Sequence, residues 1–201
     1  EGKPVVFLCG DSTGKNEDKK PDGMWGWGSQ GYTVFDSTKC VFLNQAKAGR
    51  STRTYIDEGR WEEVYNSLEP GDVVLIQFGH NDIGGIKDGK ERGVIATAKD
   101  SSKVYRMESS GVYKVIYSYG WYLKKMIRDA HEKGATPILL TLTPRNEWHE
   151  GNGQSRGFVY PVKEKRGKKY IERRNETYGA WCRKVAEETG AELVDVHNIT
   201  A

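Results

Sequence analysis

The sequence predicts an α/β protein in which a five-stranded parallel sheet lies between two layers of helices. Five short apolar runs alternate with helical or polar segments, which is typical of parallel sheets that are covered on both faces. A chain of 201 residues is long enough for one domain with a sizeable core and too short for two comfortable ones. We therefore predict one domain over residues 1–201, a three-layer α/β/α sandwich.

Each of the five strands is predicted from a run of strand-forming residues that ends in glycine, proline or polar residues. The predicted strands are 5–9, 41–46, 73–78, 137–142 and 192–196. Right-handed crossovers between parallel strands then place helices on both faces of the sheet.

Helices are predicted between the strands. They are a short one near 32–35, two pieces over 52–68 that are broken near Gly59, and longer ones over 115–134 and 171–190. Two long segments, 83–114 and 145–169, follow the third and fourth strands. Because loops of this length are usually functional lids or inserted hairpins, we expect both beside a binding crevice.

Three polar, glycine-containing turns follow the first three strands. Ser12 lies in Gly-Asp-Ser-Thr-Gly, Gly49 lies in Ala-Gly-Arg-Ser, and Asn81 lies in Gly-His-Asn-Asp. The carboxyl ends of parallel strands share one edge of the sheet, where open α/β sheets bind their ligands. We therefore expect these three turns to meet.

In this order, the three turns resemble the serine, glycine and asparagine blocks of the GDSL-type esterases, also called SGNH hydrolases. Segments 49–61 and 70–82 are similar to the rhamnogalacturonan acetylesterase branch of that group. The resemblance implies a flavodoxin-like sheet with strand order 2-1-3-4-5. It also implies a secreted or periplasmic serine esterase that removes acetyl groups from a plant cell-wall polysaccharide, without metal or cofactor.

The resemblance assigns roles to residues of the three turns. Ser12 is the expected nucleophile, and Gly49 and Asn81 are expected to donate hydrogen bonds to the oxyanion, because acyl transfer needs both functions. Residues 10–14 also fit the G-x-S-x-G elbow of α/β-hydrolases. We reject that fold, since several strands precede its elbow and only nine residues precede Gly10 here.

The fourth block of that group, an Asp-x-x-His after the fifth strand, is absent from this sequence. Asp195 and His197 come nearest, but their spacing is one residue too short for this block. His80 is predicted to be a turn residue that orients its neighbours. We therefore expect the chain to lack a final helix and the acid–base pair.

The long segment 145–169 carries the predicted substrate-binding residues Arg145, Trp148 and Tyr160. A basic cluster over 163–169 suits a solvated loop or an acidic polysaccharide better than nucleic acid, since the net charge is only +3. No apolar run approaches the length of a membrane span. We therefore expect a saccharide partner and neither nucleic acid nor membrane.

Several alternatives remain open at this point. The substrate could be another acetylated glycan or a small ester. A protein of another class, a non-catalytic module that binds carbohydrate, phosphate or flavin, could use the same crevice through the amides of the Ser12 turn. No metal-ligand spacing or dinucleotide motif is present, so no cofactor is implied. Cys9, Cys40 and Cys182 are expected to be small buried apolar residues.

Overall fold

The structure is a computed structural model that describes residues 2–15, 25–144 and 174–200, together with the backbone of five short strands between 148 and 171. In chain order the elements are β1 (Val5–Gly10), a 3-10 helix (Trp27–Gln30), α1 (Gly31–Val34), β2 (Val41–Asn44), α2 (Thr52–Asp57), α3 (Arg60–Ser67), β3 (Val73–Gln77), β4 (Ser102–Arg106), β5 (Tyr113–Tyr117), α4 (Tyr119–Glu132), β6 (Thr136–Leu140), β7 (Trp148–Glu150), β8 (Gln154–Ser155), β9 (Phe158–Val159), β10 (Lys165–Arg166), β11 (Lys169–Ile171), a π-helix (Asn175–Gly179), α5 (Ala180–Thr189), β12 (Glu192–Val194) and α6 (Val196–Thr200).

The central sheet has five parallel strands in the order β12-β6-β3-β1-β2. Counted along the chain, the sheet strands therefore lie in the order 2-1-3-4-5, and the predicted topology is confirmed. β1 lies between β2 and β3, so the turns that follow these three strands are neighbours. This is the arrangement that the candidate site requires.

Successive residues of β1 point to opposite faces of the sheet, as a strand demands. Phe7 and Cys9 join the larger core, which α2 to α5 cover. Val6 and Leu8 join a smaller core with Phe42, which the segment around α1 covers. Both faces of β1 are thus buried, which explains its continuous apolar sequence.

The helix predicted over 115–134 begins four residues later than expected. Residues 115–117 belong to β5, which pairs with β4 in an antiparallel hairpin. Ser118 then caps α4 by accepting a hydrogen bond from Trp121 N at 3.1 Å. Val115 and Ile116 are β-branched and suit a strand, whereas their spacing alone also fitted the helical period. An inserted hairpin was expected in 83–114. The structure has one, in which β4 lies within that segment and β5 extends into the predicted helix.

The end of the chain also differs from the prediction. Ile171 lies in β11, and a π-helix precedes α5, so the helix predicted from 171 is shorter. β12 ends at Val194, and residues 196–200 form the short helix α6. A short helix that was not predicted therefore follows the fifth strand, and Asp195 lies between the strand and α6 instead of inside the strand. The expectation that the chain lacks a longer final helix and the acid–base pair stays a prediction.

The break near Gly59 and the burial of Cys9 and Cys182 agree with the prediction. The helical segment 52–68 is split into α2 and α3 by Gly59, which has a φ of +77°. Cys9 and Cys182 are buried and Cys40 is half-buried, all as free thiols. No helix among the described residues combines the length and apolarity needed to span a membrane.

Candidate active site

The turn after β1 is fixed by Asp11 and presents Ser12 to solvent. The buried carboxylate of Asp11 accepts hydrogen bonds from the backbone N and the hydroxyl of Thr13, both at 2.8 Å. Such a bond from a residue two positions on is the local turn that aspartate favours. Ser12, between them, is exposed. The sequence therefore places a solvent-accessible hydroxyl at the end of a buried strand.

The turn after β2 requires glycine at position 49. Gly49 has a φ of +76°, which side chains disfavour, and a Cβ there would lie 2.6 Å from Arg92 Nη2. The same turn is tied to β1, because Lys47 N donates to Gly10 O at 2.9 Å. Ser51 then caps α2 in a reciprocal arrangement with Thr54.

Asn81 connects the turn after β3 to the turn after β2. Its Nδ2 donates to Arg50 O at 3.1 Å, and its Oδ1 lies 3.4 Å from Arg92 Nη1, which donates to it. These two partners determine the orientation of the amide. An amide nitrogen carries two hydrogens, so one remains for a ligand. The asparagine block is thus bonded directly to the residue that follows Gly49.

Asp82 makes a second link between the same two turns. Its Oδ1 accepts hydrogen bonds from Thr52 N at 3.1 Å and from the Thr52 hydroxyl, while its Oδ2 is buried and makes no hydrogen bond to the described residues. Burial raises the pKa of Asp82 to about 7, and the charge of Asp11 adds to this although the bonds from Thr52 oppose it. The side chain therefore favours the neutral acid below about pH 7.

Two hydrogen bonds of His80 hold the turn after β3 in place. His80 Nε2 lies 3.0 Å from Thr143 O, and its Nδ1 lies 3.4 Å from Arg174 Nη1. Since the arginine must donate, the assigned tautomer carries its proton on Nε2 and donates to Thr143 O. The imidazole thus has a partner on each nitrogen, in agreement with the predicted orienting role.

The adjacent strand end is held by Gln77. Its Nε2 donates to Thr141 O at 2.8 Å, and its Oε1 accepts from Trp27 Nε1 at 2.7 Å. Trp27 also packs against the smaller core, whereas Trp25 is 55% exposed. The side chain of Gln77 therefore links the end of β3 to the end of β6 and to the 3-10 helix.

Comparison with known proteins decides the family. The model of the GDSL-like lipase/acylhydrolase family matches residues 8–201. The chain belongs to this family. Two curated relatives extend the likeness at the level of sequence. A rhamnogalacturonan acetylesterase of Emericella nidulans is 28% identical over 196 residues, which are 95% of this chain and 74% of that protein. The rhamnogalacturonan acetylesterase RhgT of Bacillus subtilis is 33% identical over 153 residues, 76% of this chain.

This GDSL-family chain covers 54% of RhgT, so it spans about half the length of that relative. Among solved structures, the acetylxylan esterase Axe2 of Geobacillus stearothermophilus aligns over 98% of this chain and 78% of its own, with a TM-score of 0.58 and 22% identity. At that identity the structural match supports the fold, and it agrees with the sheet order described above.

The carboxylate of Asp195 is bound by other side chains in this GDSL-family chain. Arg183 binds the carboxylate of Asp195, with its Nε 2.9 Å from Oδ2, and holds the pKa of Asp195 at about 2. Thr141 also donates to it at 2.9 Å. Three strand spacings of about 4.8 Å, roughly 14 Å in all, separate β12 from β1.

The remaining histidines do not supply a base among the described side chains. His131 is exposed near the end of α4, close to the start of β6 and therefore at the opposite edge of the sheet. His149 lies in β7, whose side chains are not described. Arg145 and Tyr160 lie outside the described residues, as does the side chain of Trp148, so their predicted substrate contacts stay predictions.

The structure adds one residue that the sequence did not single out. Arg92 lies in the long segment 83–114, which was expected beside a binding crevice, and contacts both Gly49 and Asn81. Arg92 is far from Gly49 along the chain and lies in an irregular loop, so no periodic pattern in the sequence pointed to it. No group of acidic, histidine or cysteine residues suitable for a metal occurs in the described part of the chain.

Proposed function

We propose that this chain is a serine esterase that removes acetyl groups from an acetylated plant cell-wall polysaccharide, with Ser12 as the nucleophile. The observation that carries the proposal is the meeting of three turns at one sheet edge. Hydrogen bonds join the Gly49 turn to Asn81 and to the neighbouring Asp82. Because Gly10 ends β1 and is bonded to Lys47, the Ser12 turn belongs to the same assembly.

In the proposed reaction, Ser12 Oγ attacks the carbonyl carbon of the acetyl ester and gives its proton to a base, which the described histidines do not supply. The carbonyl oxygen becomes an oxyanion, which accepts hydrogen bonds from the backbone N–H groups of Ser12 and Gly49 and from Asn81 Nδ2. The bond to the sugar oxygen then breaks, and that oxygen takes the proton. Water hydrolyses the acetyl-serine in the same way and releases acetate.

The substrate class rests on the relatives. Two of them are named rhamnogalacturonan acetylesterases, and a structural neighbour is named an acetylxylan esterase. All three names refer to acetylated polysaccharides. We therefore favour a pectic polysaccharide over a small ester. A substrate of this size lies outside cells, so the proposal includes secretion or a periplasmic location.

The test is hydrolysis of p-nitrophenyl acetate and release of acetate from acetylated rhamnogalacturonan, together with labelling by a fluorophosphonate probe. Ser12→Ala is expected to abolish labelling and to lower hydrolysis at least about a hundredfold, because it removes the nucleophile. Labelling reports the nucleophile directly and does not depend on the deacetylation step.

Ser37→Ala is the matched control, since Ser37 is exposed in a surface turn. This variant should label and hydrolyse like the parent protein. Labelling of Ser12→Ala at the parental level, with a folded circular-dichroism spectrum, would refute the assignment of the nucleophile.

A further inference from the structure

An arginine of the first inserted segment lies against both proposed oxyanion donors. Arg92 Nη1 donates to Asn81 Oδ1 at 3.4 Å, and Arg92 Nη2 lies 2.6 Å from the point that a Cβ at Gly49 would occupy. The side chain is half-buried. A guanidinium group therefore covers the glycine turn at the edge of the proposed acetyl site.

The backbone around Arg92 is fixed on its carboxyl-terminal side. Gly93 O accepts a hydrogen bond from Arg53 Nη1 at 3.1 Å, and Val94 N donates to Asp82 O at 3.2 Å. Arg53 is fully buried in α2, directly after the Gly49 turn. The position of Arg92 is thus set by the same elements that carry the proposed donors.

The acidic neighbour of Arg92 is engaged elsewhere. Glu91 Oε2 lies 3.3 Å from Arg53 Nη2 and 2.6 Å from Lys114 Nζ. These two cations hold the pKa of Glu91 below its ordinary value, the lysine more strongly. Glu91 therefore already has two cationic partners before Arg92 is considered.

Arg92 has no ion-pair partner in the part of the chain that the structure describes. Arg50 and Arg183, which also lie near the sheet edge, pair with Glu58 and Asp195. A half-buried guanidinium keeps several N–H donors for a ligand, and its planar fork matches a carboxylate. The geometry therefore indicates an anionic group on the molecule that occupies the site.

We propose that Arg92 binds a uronic-acid carboxylate of the substrate and so selects acidic acetylated glycans over neutral ones. The proposal rests on the proposed function, because it places the acetyl ester at Ser12 and the carboxylate beside Gly49. Arginine and carboxylate form two parallel, charge-assisted hydrogen bonds, which neutral sugars lack. Arg92 is thus a specificity-determining residue of the same site.

The experiment measures binding by calorimetry in the Ser12→Ala protein, so that no turnover occurs. The probes are an acetylated rhamnogalacturonan oligosaccharide and an acetylated xylo-oligosaccharide of similar length. Adding Arg92→Gln is expected to weaken binding of the acidic probe about tenfold or more, as expected for loss of charge-assisted hydrogen bonds. Binding of the neutral probe should change by less than about twofold, since it offers no carboxylate.

Arg128→Gln is the matched control, because Arg128 is exposed on α4. This variant should bind both probes like the Ser12→Ala parent. Arg92→Lys should fall between arginine and glutamine for the acidic probe, since lysine keeps the charge and loses the planar fork. Equal loss on both probes, no loss on the acidic probe, or failure of the parent to bind it would overturn the proposal. Fluorophosphonate labelling of Ser12 tests the proposed function independently of these outcomes.

Discussion

Substitution of Asp82 by asparagine should remove a pH dependence from the stability of the protein. The carboxyl group is fully buried, its Oδ1 is bonded to Thr52, and its Oδ2 makes no hydrogen bond to the described residues. Asparagine keeps the acceptor oxygen for Thr52 and carries no charge. It therefore imitates the protonated acid at every pH.

The sign and size of this pH dependence follow from the pKa of Asp82. Burial raises the pKa of Asp82 from 3.8 to about 7, so between these values the folded state holds a proton that the unfolded state has lost. The contribution of Asp82 to the free energy of unfolding is therefore fully present below the unfolded pKa. It falls by about 1.36 kcal/mol for each pH unit on the way up to the folded pKa, and is constant above it. The full effect is about 4 kcal/mol.

The assay is urea unfolding of both proteins at several pH values. Between pH 4.5 and pH 8, the free energy of unfolding of Asp82→Asn should gain about 3 kcal/mol relative to that of the parent protein. A constant offset of about 1–3 kcal/mol, due to the buried amide hydrogens, does not alter this difference in slope.

Asp100→Asn serves as the control, because Asp100 is 63% exposed in its ion pair with Lys124. Its unfolding curve should follow that of the parent across the pH range. Parallel pH profiles for Asp82→Asn and the parent would show that Asp82 is ionised when folded, and would refute the reasoning.

Two further predictions concern the candidate site. Asn81→Ala should lower kcat for acetyl esters about a hundredfold with little change in KM, since it removes a donor that acts on the oxyanion. The control is Asn66→Ala, because Asn66 is exposed in α3. A change confined to KM would contradict the role of Asn81. His197→Ala should leave the rate of fluorophosphonate labelling of Ser12 within about threefold of the parent, because three strand spacings separate their strands; a loss of labelling in the folded variant would make His197 the base.

Much of the fold could be predicted because the strands are short apolar runs with clear boundaries. The order of the five sheet strands and the placement of Ser12, Gly49 and Asn81 at one edge agree with the structure. The boundaries near Ser118 could not be predicted from periodicity alone. Residues 115–117 satisfy a helical spacing, but pairing with β4, which no local pattern reveals, places them in a strand.

The links within the site were less predictable than its members. The bonds from Thr52 to Asp82 and from Asn81 to Arg50 join residues that lie about thirty positions apart. No sequence period encodes such contacts, which depend on β1 lying between β2 and β3. Likewise, the bond of Asp195 to Arg183 depends on how α5 packs beside β12, and no local sequence pattern indicates it.

The buried arginine of α2 has a consequence for exchanging substrate specificity between family members. Arg53 donates to Ile86 O at 2.8 Å and to Gly93 O at 3.1 Å, and it also contacts Met107 Sδ at 3.5 Å. If the segment 83–117 of another enzyme were grafted onto this chain, Arg53 would keep its charge but lose these acceptors, unless the graft restored them. A buried guanidinium that keeps only its 3.5 Å ion pair with Asp57 is destabilising, because its other N–H groups then have no acceptor. Segment 83–117 and helix α2 would therefore have to be exchanged together, although they are separate in sequence.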